Sequence, residues 1–414
     1  MNNIMAQTCR YLADEGHDVT LYLINEYAHF HPTADSYEPL NFKLKEYPLK
    51  KTEIVTMSRA ALKSEFGHYD YLMGIEYAPA IAMRIGKPLN VFYSAATDLS
   101  HYPFSEYQYA TGAVWKTEEK HLADLQFYGI KYAHNISMNM APLPIENALI
   151  KIGFKGHRFE ALPYLYMRLW ANNEVLKKSN LKATFDEVRS RFDVLIFHHI
   201  RHEWGEETDE VHQKGNDKLI HALKYLKANS GNKRVGLITF EYGNSINKSK
   251  QLIKALNLED NVVWFPVNKR RDYMYGISIA DVCVGQLHHN MITYTSFAEY
   301  VALKKPVLQW YNDTDEVREK LPFFPVKSQE ELNERLFLFL ENCTTETLLQ
   351  KVNTSFMWLK LANEEKPLNA ILKDLKLKRK SHILISDLME LKYKLCILID
   401  KIFYRFCTKS IAKT

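Results

Sequence analysis

Five cysteines in 414 residues (Cys9, Cys283, Cys343, Cys396 and Cys407) are odd in number and scattered, in no metal-ligand spacing. Such usage excludes a disulfide framework and points to a reducing compartment. The chain has no run of eighteen apolar residues, so no evident membrane-spanning helix. Its amino end lacks the apolar segment of a secretory signal and soon enters an amphipathic helix. No His-Glu-x-x-His occurs. His198, His199, His202 and His212 fall on a strand and the loop after it, where His198 and His202 share no helical face, so no metal centre is expected. The formal charge is +5, but residues 371–414 carry eleven Lys or Arg against four Asp or Glu, a net +7. The remaining 370 residues are therefore slightly acidic, and no nucleic-acid recognition module stands out.

What is present is a soluble globular composition, 46% hydrophobic and 25% charged. The length calls for two cores. The expected division is an N-terminal domain over 1–172, a polar linker over 173–192, a C-terminal domain over 193–345, and helices over 346–414 that end in a basic tail.

The stretch Asp281 to Gln309 organises the second half. It reads as a buried strand to Val284, a polar loop with His288, His289 and Asn290, a helix from Thr295 to Leu303, then a second strand from Val307. Thr293, Thr295 and Ser296 can cap the helix. Free N–H groups at such a start suit phosphate oxygens. Glu299, within the first two turns, is then placed to accept hydrogen bonds from hydroxyls; an ordinary capped helix with a solvated Glu is the plainer alternative. Before this stretch, Asp193 to Ile200 is a near-continuous apolar run, as a buried parallel strand should be. A loop with Arg201 follows, then Lys214-Gly215 at a helix start, and a Pro266-Val267-Asn268 turn.

The first half opens with a helix, Asn2 to Glu15, before its strand Val19 to Ile24. A doubly wound unit normally starts with a strand whose end cradles ligand. Either the start lies too far downstream or that part of the cradle is lacking. The loop after the Leu89–Tyr93 strand carries Asp98 and His101, as cleft groups or as plain turn residues.

The second half, through Arg201, Lys214-Gly215, Trp264-Phe265-Pro266-Val267-Asn268, Ala280-Asp281 and Ser296 to Leu308, resembles the nucleotide-binding domain of GT-B glycosyltransferases. The likeness is to the large retaining class, family-4-like, that includes bacterial polysaccharide and lipopolysaccharide transferases. Residues 12–19 and Thr97-Asp98-Leu99 resemble its first domain more weakly. The resemblance implies an α/β fold of two Rossmann-like doubly wound domains facing across a cleft. It implies transfer of a sugar from a nucleotide-diphosphate sugar to a glycan or lipid-linked hydroxyl, with no other cofactor. Arg201, Lys214 and the helix start at Thr295 and Ser296 would neutralise the leaving diphosphate in place of a metal. Glu299 would hold the ribose and Val267–Asn268 would meet the base. The family's second carboxylate falls at Met291, so His288, His289 or Asn290 would substitute. Its histidine and Gly-Thr/Ser-Asp turn fall at Ser94, Ala95 and Ala96. Two alternatives stay open: a nucleotide-sugar epimerase of the same shape, and a degenerate, non-catalytic partner subunit.

The tail mixes Leu and Ile with Lys and Arg. It would lie against an anionic membrane surface, at the inner face of the plasma membrane of a cytoplasmic protein, or pack on the first domain.

Overall fold

The computed structural model describes residues 3–24, 31–94, 97–104, 117–137, 143–159, 162–290, 295–342, 346–377 and 383–395. Twelve strands occur among these residues, and every pairing between them is parallel.

The first part holds β1 (Thr20–Leu23), β2 (Lys43–Glu46), β3 (Met73–Gly74), β4 (Val91–Tyr93), β5 (Asn135–Ser137) and β6 (His157–Phe159). They form two separate sheets, β1-β2 and β3-β4-β5-β6. A doubly wound order would set one more strand between β1 and β3; the described residues supply none there. Val19, Tyr71, Met73 and Ile75 instead share an apolar cluster with Ile4, Tyr11 and Leu12 of the Ile4–Asp14 helix. Among the described residues the first part is thus broken between β1-β2 and β3-β4-β5-β6.

The second part holds β7 (Val194–Phe197), β8 (Val235–Phe240), β9 (Val262–Phe265), β10 (Val282–Val284), β11 (Val307–Trp310) and β12 (Phe324–Val326), in the order β12-β11-β10-β7-β8-β9. All residues of β7 and β8 are buried, as strands covered on both faces require. Side chains alternate between two cores. Val194, Ile196, Leu237, Val282 and Val284 pack with Leu219, Leu223 and Leu336 on one side. Leu195, Phe197, Ile238 and Cys283 pack with Phe185, Tyr273, Phe297 and Tyr300 on the other.

The stretch 173–192, expected as a linker, is two helices, Asn173–Lys177 and Lys182–Arg191. Val175, Leu176, Phe185 and Val188 are buried in the second core, so its apolar residues outweigh the polar run that marked it as linker. The chain then returns. Asn363 accepts from the Tyr164 and Leu165 amides at 2.7 and 3.2 Å, and Leu368 and Ile371 join the cluster around Tyr11. A last helix, 385–395, lies on the first part through Ile383, Met389 and Tyr393. Among the described residues, no helix is long and apolar enough to cross a membrane.

Candidate functional site

From β7 the chain proceeds to β8 on one side, while β10, reached later, pairs on the other side of β7. The order reverses here, which opens a crevice beyond the carboxyl ends of β7 and β10. The loops that line it hold most of the residues expected from the sequence.

His198 ends β7. Its Nδ1 lies 2.8 Å from the Val284 carbonyl and its Nε2 3.0 Å from Asn216 Nδ2. The amide donates to Nε2, so Nδ1 carries the proton and donates to the carbonyl. Burial pulls this imidazole down to about 4, which keeps it neutral and makes it a brace between β7, β10 and the helix Asn216–Asn229.

Lys214 precedes that helix. Its ammonium donates to Gln286 Oε1 at 2.9 Å. Burial lowers its pKa, nearby Arg201 lowers it further, and Glu203 opposes both. Gly215 caps the helix with φ +70°. A Cβ there would stand 2.6 Å from the Leu287 carbonyl oxygen, so only glycine allows this approach. The Leu287 amide donates to the Lys214 carbonyl at 2.9 Å, and Lys218 Nζ donates to the Leu287 carbonyl at 2.9 Å. The two loops are thereby zipped, with Lys214 fixed beside Gln286. Gln286 is 2% exposed, and its Nε2 is a buried donor with no hydrogen-bond partner. Arg201 is 39% exposed, with Nε 3.9 Å from Glu203 Oε1. Glu203 is buried, but at 3.9 Å and with no hydrogen bond between them the contact is loose, so the half-exposed guanidinium can turn to another anion. Two cations, close enough for Arg201 to lower the Lys214 pKa, therefore meet at the crevice, a set suited to phosphate oxygens.

The helix Thr295–Ala302 begins half-buried at Thr295 and Ser296, and its Tyr300 hydroxyl accepts from the His199 amide at 2.8 Å. The helix is thus joined to the loop that carries Arg201. Glu299 does not face water. It is 1% exposed, and Oε1 accepts from Arg270 Nε at 2.7 Å and from the Tyr273 hydroxyl at 2.8 Å. Arg270 also donates to Asp35 of the first part at 2.7 Å. Asp35 accepts further from Gln7 at 2.6 Å and Asn3 at 3.0 Å. Burial pushes both carboxyls up and Arg270 draws them back. Burial weighs against the guanidinium, but Asp35 and Glu299 outweigh it and hold its pKa above the usual value.

Other expected residues are placed as follows. The Val267 side chain is 52% exposed at the turn after β9, where Asn268 Nδ2 donates to the Pro266 carbonyl at 2.8 Å. His288 and His289 approach Glu210, at 2.8 Å to its carboxylate and 2.6 Å to its carbonyl. Asn290 brackets Asn312, donating to its carbonyl at 2.8 Å and accepting from its amide at 2.6 Å. Asp98, 2% exposed, accepts from Ser94 Oγ at 3.0 Å and the Glu76 amide at 3.2 Å, which ties it into the first part. His101 is exposed beside Ser100. Ala95, Ala96, Met291 and Thr293 lie outside the described residues.

Sequence reasoning missed Asp35, Arg270, Tyr273 and Gln286. Only Arg270 left a signal, as a cation opening the helix after the Pro266-Val267-Asn268 turn. The expectation of no catalytic metal also rested on the chain lacking an Asp-x-Asp, and this is corrected by Asp313-Thr314-Asp315, which is one. Asp315 of that triplet is engaged by Arg318 and Lys327, both at 2.9 Å. Among the described residues, one group could hold a metal ion: Glu210, His288 and His289, whose ligand atoms lie within 4.8 Å of one another.

No protein-family description matches the sequence, and no characterised protein matches it. Solved structures do match by shape. Anabaena HepE in complex with UDP and glucose superposes with a TM-score of 0.55 at 12% identity, over 89% of this chain and 93% of that one. This is the GT-B fold. A glycosyltransferase from Rickettsia africae gives 0.51 at 13% identity, over 90% of this chain and 91% of that one. Sucrose-phosphate synthase from Thermosynechococcus elongatus gives 0.50 at 14%, over 89% and 92%. In GT-B terms, the two sheets of the first part belong to one domain and the six-stranded sheet to the second, which also holds the crevice beyond β7 and β10.

Proposed function

We propose that this GT-B protein is a glycosyltransferase. It moves a sugar from a nucleotide-diphosphate donor, held in the second domain, to a hydroxyl of a glycan or lipid-linked glycan held by the first, as in the building of a surface polysaccharide. The observation that carries this reading is the meeting of Lys214, held by Gln286, and Arg201 at the crevice. HepE, solved with UDP-glucose as well as with UDP, supports a nucleotide sugar as the ligand.

In this reading the acceptor hydroxyl attacks the anomeric carbon as the bond to the diphosphate breaks, and its proton passes to an oxygen of the departing diphosphate. The departing oxygens gain negative charge, which Lys214, Arg201 and the N–H groups at Thr295 and Ser296 offset without a catalytic metal. Retention of configuration follows from the family resemblance. Val267 and Asn268 face the base, with His289 and Asn290 on the donor side and Asp98 and His101 in the first-domain cleft. Glu299 reaches the ribose once Arg270 yields one of its bonds. Work on a lipid-linked acceptor places the protein at a membrane surface, reached through its C-terminal segment.

The test is incubation of the purified protein with labelled nucleotide sugars and lipid-linked or free glycan acceptors. Acceptor-dependent release of nucleoside diphosphate supports transfer. A C2-inverted sugar formed without acceptor would instead show an epimerase. The enclosure of Glu299 by Arg270 and Tyr273 favours a second reading, a subunit that binds a nucleotide without turning it over. Binding of nucleoside diphosphate with no product from any donor would establish it.

A further inference from the structure

The helix 385–395 has two apolar faces, and among the described residues the fold uses one. Ile383, Ser386, Met389 and Tyr393 are buried against the first domain. The attachment is specific. Arg59 Nη2 donates to Ser386 Oγ at 2.7 Å, Ser386 donates to the Met83 carbonyl at 2.7 Å, and Arg84 Nη2 donates to Glu390 at 3.2 Å. The Tyr393 ring stacks on His121 at 3.9 Å.

The opposite face carries Leu384, Leu388, Leu391 and Leu395, exposed by 81, 66, 67 and 57%. Their spacing of four, three and four residues makes one continuous stripe along a helix. A single exposed leucine needs no explanation, but an aligned row does. Lys392 and Lys394 flank the stripe on its two sides; Lys392 is 71% exposed and stands 3.8 Å from Asp124, an exposed pair of little energy that leaves the ammonium able to meet a headgroup. The sequence keeps this spacing beyond Leu395, with Leu398, Ile399, Ile402 and Phe406, and adds Lys401, Arg405, Lys409 and Lys413 against the single acid Asp400.

We infer that this leucine stripe is a docking face for an anionic lipid bilayer, which would hold the first domain against the surface that carries a lipid-linked acceptor. Leucines enter the acyl boundary and the flanking lysines meet headgroup phosphates, the arrangement of an interfacial helix. A second copy would bring the same cations face to face. The link to an acceptor rests on the proposed function, whereas the docking itself does not.

The experiment is vesicle flotation of the full-length protein on phosphatidylcholine vesicles with and without phosphatidylglycerol. It compares the natural protein, Leu388→Gln with Leu391→Gln, and Lys392→Glu with Lys394→Glu. Circular dichroism melting and nucleoside-diphosphate binding are followed in parallel. All four side chains are exposed, so both variants should melt and bind nucleotide like the parent. The expected result is flotation that requires the anionic lipid and falls at least about tenfold, roughly 1.4 kcal/mol, in each variant. Equal flotation of all three proteins would overturn the inference, by assigning binding to another surface. A protein that ignores both vesicles, and is a dimer that Leu388→Gln with Leu391→Gln makes monomeric, would overturn it in favour of a second copy. Nucleotide binding lost while flotation persists would count against the proposed function alone.

Discussion

Arg270 of the second domain and Asp35 of the first are joined at 2.7 Å, with both side chains under a tenth exposed. The same guanidinium holds Glu299, and neighbours reinforce the junction. Tyr37 donates to Asp272 at 2.6 Å, and Arg271 donates to the Thr33 carbonyl at 3.0 Å while lying 4.3 Å from the Tyr37 ring centre. The segment 33–38 is therefore clasped to the start of the helix Arg270–Ile279.

Removing the cation from this junction leaves two buried carboxyls facing each other. Arg270→Leu is expected to cost about 3–5 kcal/mol, the usual effect of breaking a buried pair from one side. Urea denaturation measures it, and a loss below about 1 kcal/mol would mean that the junction opens readily in solution.

Glu299→Gln separates two roles for one residue. The amide keeps the volume and can still accept from Arg270. If Glu299 serves only the clasp, stability falls and binding of a nucleoside diphosphate is unchanged. If it also reaches ribose hydroxyls, affinity falls about tenfold, roughly 1.4 kcal/mol. The proposed function predicts the second result, read by calorimetry at a temperature where both proteins are folded.

Gly215→Ala should damage the crevice from a distance. Its φ of +70° and the 2.6 Å approach to the Leu287 carbonyl leave no room for a methyl group. The cost should be about 1–3 kcal/mol, as for strained backbone positions. The Lys214 loop should shift with it and weaken phosphate binding. A variant as stable as the parent would show that the loop relaxes freely.

Buried histidines predict acid sensitivity. Burial holds His198 and His199 down to about 4 and His202 to about 3, against an ordinary 6.5. The unfolded chain takes up these protons as the pH falls through 6.5, while the folded chain stays neutral until about 4 or below. Their contribution to stability is whole above 6.5 and is lost on descending from there, at up to about 1.4 kcal/mol per pH unit for each group. Asp35 and Glu299, raised by burial, protonate earlier in the folded chain and offset part of the loss near the carboxylate range. His202 is held by Ser249 and Thr239, both at 2.9 Å. His202→Gln should flatten the slope of unfolding free energy between pH 6.5 and 4. An unchanged slope would rule out His202 as a contributor.

The second sheet was legible in the sequence because its strands are short, continuous apolar runs between glycine, proline and polar loops. β7, β9 and β11 fall within a few residues of where hydrophobicity alone puts them. β6 and β12 were not. His157–Phe159 is polar and exposed at an edge, and Phe324–Val326 contains a proline, so neither has the pattern of a buried strand. Arg201 and Lys214 were legible as loop cations after a strand and before a helix. Gln286, the partner of Lys214, was not, because a lone glutamine acquires meaning only when the fold buries it. The Asp35–Arg270–Glu299 chain spans 235 residues at one contact and was beyond any local pattern. The expected Glu299 was found on its helix, but its direction depended on Arg270.

The central claim is that a pyrophosphate binds beside Lys214 and Arg201. Titration calorimetry of the natural protein with a panel of nucleoside diphosphates, each paired with its nucleoside, tests it most directly. At least one diphosphate should bind well above its nucleoside, and Lys214→Ala and Arg201→Ala should each weaken it about tenfold or more without unfolding the protein. Equal affinity for diphosphate and nucleoside, or diphosphate binding unchanged in both variants, would contradict the account.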